Sequence, residues 1–166
     1  MATPRSLNDL FIQKIRYVYD AEQRLTKALP KLSKAASAPD LKQAFDAHLK
    51  ETETHVERVE RLFGLIDEKP NADTNANIKG IISAGDDVID LDADAPVKDA
   101  ALIAAAQCAE HYEIAEYGTL RAWARVLGRN EAVQLIDWTL QDEKNADEAL
   151  THVASRLNFE AAVPRR

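Results

Sequence analysis

The strongest constraint in this sequence is a repeated pattern of long apolar stripes that turn acidic near their middles. Within each stripe the residues are three or four positions apart, which places their side chains on one face of an α-helix, as in the seam of a helical bundle. Each stripe is apolar at both ends. Three stretches show the pattern clearly, and their stripe residues are Phe11, Ile15, Val18, Glu22, Leu25, Leu29 and Leu32, then Ile103, Ala106, Glu110, Glu113, Tyr117, Leu120, Ala124 and Leu127, and then Val133, Ile136, Leu140, Glu143, Asp147, Leu150, Ala154 and Leu157.

A fourth stretch is less regular but is interrupted at a similar depth by one carboxylate and two imidazoles. Its predicted inward residues are Leu41, Ala44, Phe45, His48, Glu51, His55, Val59 and Leu62. In antiparallel helices of similar length the midpoints lie at one level, so the polar residues of all four stripes are expected to converge. The predicted site residues are Glu22, Glu51, His55, Glu110, Glu113, Glu143 and Asp147.

Caps and helix breakers divide the chain into four long helices and one short helix. Ser6 is a candidate N-cap for the first helix, and Pro30 is expected to kink that helix or to split off its last stretch. Gly128 is a good C-cap for the third long helix, and Asn130 is the predicted N-cap of the fourth. The predicted helices cover about residues 7–37, 39–67, 78–90, 97–127 and 131–158, and residues 159–166 are expected to form a frayed tail.

The lengths of the connections predict how these helices are arranged. The links within the first and the second pair of long helices are short, which indicates antiparallel hairpins. The connection between the pairs is long enough to cross the whole bundle and contains the short helix. Two hairpins joined by one long crossover is the ferritin-like arrangement. The chain is therefore predicted to be an all-α, ferritin-like four-helix bundle, one domain over residues 1–166 with its core at about 6–158.

Composition and charge exclude several classes of function. The net charge of −7 argues against nucleic acid as a partner, because phosphate binding needs a basic face. The single cysteine excludes an internal disulfide. No stretch has the apolar core of a signal peptide or the length of a membrane span, so a soluble, cytoplasmic protein without a membrane partner is predicted.

The convergent carboxylates indicate a metal site. A buried charge without a partner costs several kcal/mol, whereas the whole stability of a domain is about 5–15 kcal/mol. No Lys or Arg occupies the same stripe positions. Two divalent or trivalent cations would neutralise the cluster, and oxygen ligands with one or two imidazoles favour iron, with manganese or zinc as alternatives. A protonated or water-filled polar network without metal is the competing interpretation.

Four segments carry a resemblance to a known family. YDAEQRLTKALPKL, HLKETETHVERVERLF, ALIAAAQCAEHYEIAEYGTL and TLQDEKNADEAL resemble the YciE/YciF-type (DUF892) ferritin-like proteins of bacteria. The resemblance covers residues 7–157, and AEHYEIAEYGTL is its most specific part. It implies a rubrerythrin-like bundle that is often a homodimer, with a di-metal site and a link to stress responses.

The resemblance also implies a set of ligands, from which this chain departs in one respect. The usual ferritin-like pair is Glu-x-x-His, whereas Glu51 and His55 are four residues apart and Glu143 is followed at four by Asp147. Both spacings keep side chains on one face, so metal binding is expected to survive. His48 is either a ligand or, as the favoured role, a hydrogen-bond partner that orients Glu51. The implied ligands are Glu22, Glu51, Glu110, Glu113, Glu143 and Asp147.

The leading functional hypothesis is a redox-active di-iron protein that reacts with oxygen or peroxide. Here the bridging carboxylates are Glu51 with Glu143 or Glu110, the end ligands are Glu22 and Asp147, and Glu113 switches in or out. The alternatives are metal binding without catalysis, iron storage in a cage, and an interaction module of a stress response.

Overall fold

Five α-helices make up the part of the chain that the structure, a computed structural model, describes, which is residues 3–163. They are α1 (Leu7–Ala35), α2 (Pro39–Leu65), α3 (Ala76–Ile89), α4 (Ala95–Val126) and α5 (Asn130–Ala162). The predicted all-α fold class is confirmed. None of these helices combines the length and apolarity that a bilayer crossing requires.

The helix ends follow the local sequence signals, with differences at Pro30, at Asn130 and at the end of α5. The Ser6 hydroxyl accepts a hydrogen bond from the backbone N–H of Asp9 at 3.1 Å, which confirms the predicted N-cap. Gly128 has a φ of 68°, the left-handed conformation expected just after α4. Pro30 does not split α1, which continues to Ala35. The predicted cap Asn130 is instead the first residue of α5, because the carbonyl of the preceding residue already accepts the first helical hydrogen bond.

The end of α5 lies beyond the predicted one. The helix continues to Ala162, so residues 159–162 are helical and not frayed. Alanine and glutamate are good helix formers, and Arg156 pairs with Glu160 four residues later. The proline at position 164 disfavours helix in the residue before it. The rest of the predicted tail, residues 164–166, lies outside the described residues.

Helices α1 and α4 run antiparallel. Near the start of α1, Lys14 Nζ lies 2.8 Å from Glu116 Oε2 in the second half of α4. Just after the end of α1, the backbone N–H of Ser37 donates to Asp99 Oδ1 at 2.7 Å near the start of α4. The start of one helix therefore meets the end of the other.

Helices α2 and α5 are also antiparallel. Arg156 near the end of α5 pairs with Asp40 at the start of α2, at 2.6 Å. Arg58 farther along α2 pairs with Asp142 in the first half of α5, also at 2.6 Å. Together with the short links between α1 and α2 and between α4 and α5, these contacts define two hairpins packed side by side.

The short helix α3 runs along α1 and fills the crossover between the hairpins. Its N-cap, Asn75, donates a backbone hydrogen bond to Asp20 at 3.0 Å. Near its other end, Asp86 lies 2.9 Å from Lys31 Nζ. Because the later residue of α3 contacts the later residue of α1, the two helices run parallel. It covers α1 and α4 through a small apolar cluster whose buried residues are Ala21, Leu25, Ile78 and Ala109.

Two apolar clusters fill the ends of the bundle, and a polar layer separates them. One cluster draws on residues 11–19, 59–63, 117–124 and 132–140. The other draws on residues 29–36, 41–45, 102–106 and 150–157. On every long helix the stretch between these two sets carries buried polar side chains, as the stripe pattern predicts. Those of the layer are Glu22, His48, Thr52, His55, Glu110, Glu113 and Glu143, whereas the buried Asp20 contacts Asn75 at the start of α3.

Candidate metal centre

Six metal-binding side chains meet in the polar layer, and each of the four long helices contributes at least one. They occupy inward positions whose neighbours one turn away belong to the apolar clusters, so the packing of the helices carries them into the interior. All six are buried, with no more than 6% of any of them exposed. They are Glu22 from α1, His48 and His55 from α2, Glu110 and Glu113 from α4, and Glu143 from α5.

Four of these side chains form one potential ligand group. Each of His48, Glu110, Glu113 and Glu143 offers one ligand atom, and these atoms lie within 4.8 Å of one another. His48 Nε2 is 3.2 Å from Glu110 Oε2 and 3.6 Å from Glu143 Oε2. One imidazole and three carboxylates therefore face a common point.

A second group shares one member with the first. The ligand atoms of Glu22, His55 and Glu143 also lie within 4.8 Å of one another. His55 Nδ1 is 3.0 Å from Glu143 Oε1 and 3.6 Å from Glu22 Oε2. Glu143 thus directs Oε1 towards His55 and Oε2 towards the first group, which is the arrangement of a bridging carboxylate.

The layer is rich in buried polar atoms that make no hydrogen bond of good geometry with any described residue, although several of them contact one another as ion pairs. Buried polar atoms are normally paired, and leaving one unpaired is costly. A cation would satisfy several of these atoms at once, and oxygen donors with a few imidazoles suit iron, manganese or zinc. The cluster can therefore hold a metal ion. The atoms are Glu22 Oε2, His55 Nδ1, Glu110 Oε2, Glu113 Oε1, and both Oε1 and Oε2 of Glu143.

Charges within the layer raise the pKa values of both imidazoles. Burial alone would lower the pKa of His55, but the carboxylates of Glu22 and Glu143 outweigh burial and raise the pKa to about 10. Burial likewise opposes protonation of His48, yet its contact with Glu110 brings the pKa well above its usual value. In the metal-free protein both rings therefore hold an extra proton near neutral pH.

Two carboxyl groups of the layer also bind protons more tightly than usual. Burial raises the pKa of Glu143 to about 8, helped by the charge of Glu22 and opposed by His55. Burial and the nearby charge of Glu143 raise the pKa of Glu113 well above its usual value. A metal ion must displace these protons, so binding is expected to release protons to solvent.

Comparison with known proteins identifies the family. Residues 6–162 match the model of a domain of unknown function, DUF892. The chain belongs to the DUF892 family. It is 42% identical to protein YciF of Escherichia coli strain K12 over 158 residues, which are 90% of this chain and 91% of that protein. The resemblance seen in the sequence is confirmed.

Solved structures show that the fold is shared. The crystal structure of the E. coli stress protein YciF matches this DUF892 chain with a TM-score of 0.91 at 40% identity, over 95% of this chain and 99% of that one. YcfI of Rhodopseudomonas palustris, described as a candidate structural protein, matches with a TM-score of 0.86 at 40% identity, over 89% and 94% of the two chains. A Xanthomonas campestris protein that is 18% identical shares the fold, with a TM-score of 0.76.

Two side chains next to the polar layer hold Glu22 and His55 in place. The Tyr117 hydroxyl donates a short hydrogen bond to Glu22 Oε1, as expected for a packing tyrosine whose hydroxyl is bonded to a carboxylate. Asp142 Oδ2 lies 3.3 Å from Nε2 of His55 and accepts a hydrogen bond from Arg58 at 2.6 Å. A carboxylate on the second nitrogen of a histidine fixes the orientation of the ring.

Asp142 and Arg58 were not found by the sequence analysis. They lie next to the inward positions, Asp142 directly before Glu143 and Arg58 three residues after His55. The available signal was the second nitrogen of a buried histidine, which requires a partner. The sequence alone does not show which carboxylate of a neighbouring helix lies opposite that nitrogen.

Glu51 and Asp147 lie outside both groups. The Glu51 side chain is 43% exposed, and its Oε2 is 3.2 Å from His48 Nδ1, which fits the orienting contact expected of this pair. Asp147 accepts a hydrogen bond from Gln107 Nε2 at 2.9 Å and lies 3.4 Å from the exposed His111. The structure therefore brings five of the seven predicted site residues together and adds His48.

Proposed function

We propose that this protein binds two metal ions in the polar layer, with iron favoured over manganese or zinc, and uses them in redox chemistry with oxygen or peroxide during a stress response. Glu143 carries the proposal. It belongs to both potential ligand groups, and its two buried oxygens contact the imidazoles of His55 and His48 at 3.0 and 3.6 Å, without hydrogen-bond geometry to any described residue. A shared carboxylate between two groups of donors is what a two-metal site needs.

In this proposal Glu22 and His55 hold one ion, while His48, Glu110 and Glu113 hold the other. Tyr117 keeps Glu22 Oε1 occupied, which leaves Glu22 Oε2 for the ion. Asp142 keeps Nε2 of His55 occupied, so Nδ1 faces the cluster. A bound pair of iron ions would supply electrons and a binding point for a small oxidant.

The residues around the layer would control water and protons. The apolar clusters on both sides keep water away, which strengthens the electrostatic interactions within the layer. Glu113 Oε1 is buried and unpaired, and the raised pKa of this carboxyl makes it a group that can hold a proton when its charge is not needed.

Anaerobic titration with ferrous iron, followed by exposure to oxygen or peroxide, tests the proposal. We expect two ions per chain and new near-ultraviolet absorbance when the oxidant is added. The variant Glu143→Gln keeps the shape of the side chain, and we expect it to give neither result. Wild-type protein that binds iron but shows no reaction with either oxidant would contradict the redox function and leave metal binding intact.

Metal binding without turnover is the second candidate function. Its support is that YcfI, at 40% identity, is described as a candidate structural protein, whereas YciF is described only as a stress protein. This candidate predicts that metal raises the melting temperature by mass action, with no oxidant consumed. If metal-free Glu143→Ala protein still restored the stress phenotype of a deletion strain, the role would be interaction and not metal chemistry.

A further inference from the structure

The polar layer is covered on several sides. The two apolar clusters close it along the bundle axis, and α3 packs over α1 and α4 with its own apolar cluster. Between α2 and α5, the ion pair of Arg58 and Asp142 spans the groove beside His55, at 2.6 Å. An ion that reaches the layer must therefore pass through some other part of the surface.

The same groove is open beside His48. His48 precedes His55 by seven residues, about 10 Å along the helix axis. At this level a cavity of about 260 Å³ lies between α2 and α5. Four alanines line it beside larger side chains such as Phe45 and Leu150, and two of its lining residues belong to the polar layer. The lining includes Ala47, His48, Glu51, Glu110, Ala146 and Ala149.

The size of this cavity suits a hydrated ion. Each water takes roughly 30 Å³, so a divalent ion with six waters needs roughly 200 Å³. The walls stay apart because alanines line both helices; Ala47 and Ala149 are exposed near the opening, and Ala146 is buried deeper. A large side chain at either exposed alanine would narrow the opening without entering the packed core.

A series of side chains that can bind a metal ion leads from solvent into the layer through this cavity. The partly exposed Glu51 has Oε2 3.2 Å from His48 Nδ1, and His48 Nε2 is 3.2 Å from Glu110 Oε2. Glu110 is 2% exposed, and the contact of its Oε2 with His48 lacks hydrogen-bond geometry. A carboxylate at the opening attracts cations, and the buried Glu110 carboxylate at the inner end can receive them.

We propose that this cavity is the passage through which divalent metal ions enter the buried layer, and that Glu51 is the carboxylate they meet first. The inference rests on the proposed metal binding and assigns Glu51 a role in entry instead of the bridging role that the sequence suggested. Because a passage affects how fast an ion moves in and out, blocking it changes rates and leaves the final affinity unchanged.

Stopped-flow loading of the full chain with cobalt(II) tests the passage, since the visible absorbance of bound cobalt reports occupancy without any turnover. In Ala149→Trp we expect loading and chelator-driven release to slow together, by about tenfold or more. Equilibrium titration should still give two ions with wild-type affinity. Ala115→Trp places the same side chain on an exposed position of α4 away from the cavity, and should load at the wild-type rate. Ala149→Leu serves if the tryptophan disturbs folding.

Charge at the opening is tested separately. Glu51→Gln should slow loading by about threefold to tenfold, as expected from the loss of one nearby charge, while still binding two ions. Glu53→Gln, an exposed position two residues along α2, is the matched control.

The outcomes separate the passage from the proposed function. Wild-type protein that takes up no cobalt would overturn both. Wild-type protein that takes up two ions, together with Ala149→Trp and Ala149→Leu variants that load equally fast, would overturn the passage alone. A Glu51→Gln variant that binds fewer ions would show that Glu51 is a ligand of the final site, and would overturn the entry role.

Discussion

At the scale of single residues, Glu143 connects the two halves of the polar layer. It is fully buried, and its oxygens face His55 on one side and His48 on the other. Burial raises the pKa of Glu143 to about 8, so in the metal-free protein this carboxyl keeps its proton to a higher pH than usual. A metal ion on each side would remove the need for that proton.

Glu143→Gln is therefore expected to abolish binding of both ions, whereas Glu22→Gln should lose one. Metal analysis after anaerobic loading and desalting measures the ratio of ions to protein. The control is Asp147→Asn, because Asp147 lies outside both groups and contacts Gln107 instead. Two ions retained by Glu143→Gln, or none by Asp147→Asn, would show that the ligand groups are assigned wrongly.

Asp142 acts on the site only through His55. Asp142→Asn removes the charge that holds Nε2, so we expect the affinity for one of the two ions to fall by about 10–100-fold while two ions still bind at saturation. Isothermal titration at one pH measures both affinities. Asp137→Asn on the same helix, which weakens only exposed ion pairs with Arg121 and Arg125, should leave both affinities unchanged.

At the scale of helices, the sequence pattern predicted the buried polar residues correctly where the apolar stripe fits only one face of the helix. In α1 and α4 the apolar residues on both sides of Glu22, Glu110 and Glu113 leave no second choice of face, and all three are buried. From Leu41 to Leu62 the buried residues of α2 are alternately four and three positions apart. This alternation puts Thr52 inside and turns Glu51 towards the surface. The buried residues of α2 are Leu41, Phe45, His48, Thr52, His55, Val59, Leu62 and Phe63.

In α5, the sequence leaves open whether the inward stripe continues three or four residues after Glu143. A step of three leads to Ala146 and a step of four leads to Asp147, and both fit a bundle seam. The structure takes the step of three, which buries Ala146 and continues to Leu150 and Val153. A sequence does not show how far each helix is rotated against its neighbours, so residues one position from the seam were the ones misplaced.

The link between the first two helices depends on one buried carboxylate. The N-cap of α2, Ala38, has no side-chain cap. Asp99 of α4, 2% exposed, accepts hydrogen bonds from the backbone N–H groups of Ser37 and Ala38 at 2.7 and 2.8 Å. Asp99 thereby caps α2 from another helix.

Asp99→Ala should accordingly lower the free energy of unfolding by about 2 kcal/mol, because two backbone donors lose their acceptor. Urea unfolding followed by circular dichroism measures the loss. Asp94→Ala is the control, since Asp94 is exposed and makes no capping hydrogen bond. Equal stability of the two variants would show that the buried cap contributes nothing.

At the scale of the whole molecule, the polar layer should make the stability of the metal-free protein fall as pH rises, whereas the stabilisation added by bound metal should grow with pH. His55 has a pKa of about 10 in the folded protein, against 6.5 as its ordinary value. Glu143 has a pKa of about 8, against 4.5. In both cases the folded state holds a proton that the unfolded state releases first, so metal-free stability should fall as pH rises through this range.

Melting curves between pH 5 and pH 9 check this dependence. Without metal, the stability contributed by His55 is complete below about pH 6.5 and is lost as pH approaches 10, while Glu143 destabilises the fold increasingly between about pH 4.5 and 8. With metal present, the gain in melting temperature should grow with pH, because the ions compete with fewer protons. A metal-free melting temperature that rises from pH 6 to pH 9 would contradict this electrostatic description.

Anomalous diffraction from crystals loaded anaerobically with ferrous iron tests the central claim most directly, because it locates each ion and identifies the element. Two peaks are expected about 3.5–4 Å apart, one beside Glu22 and His55 and the other beside His48 and Glu110, with Glu143 between them. A single peak, no peak, or peaks only at surface carboxylates such as Asp147 would contradict a two-metal centre.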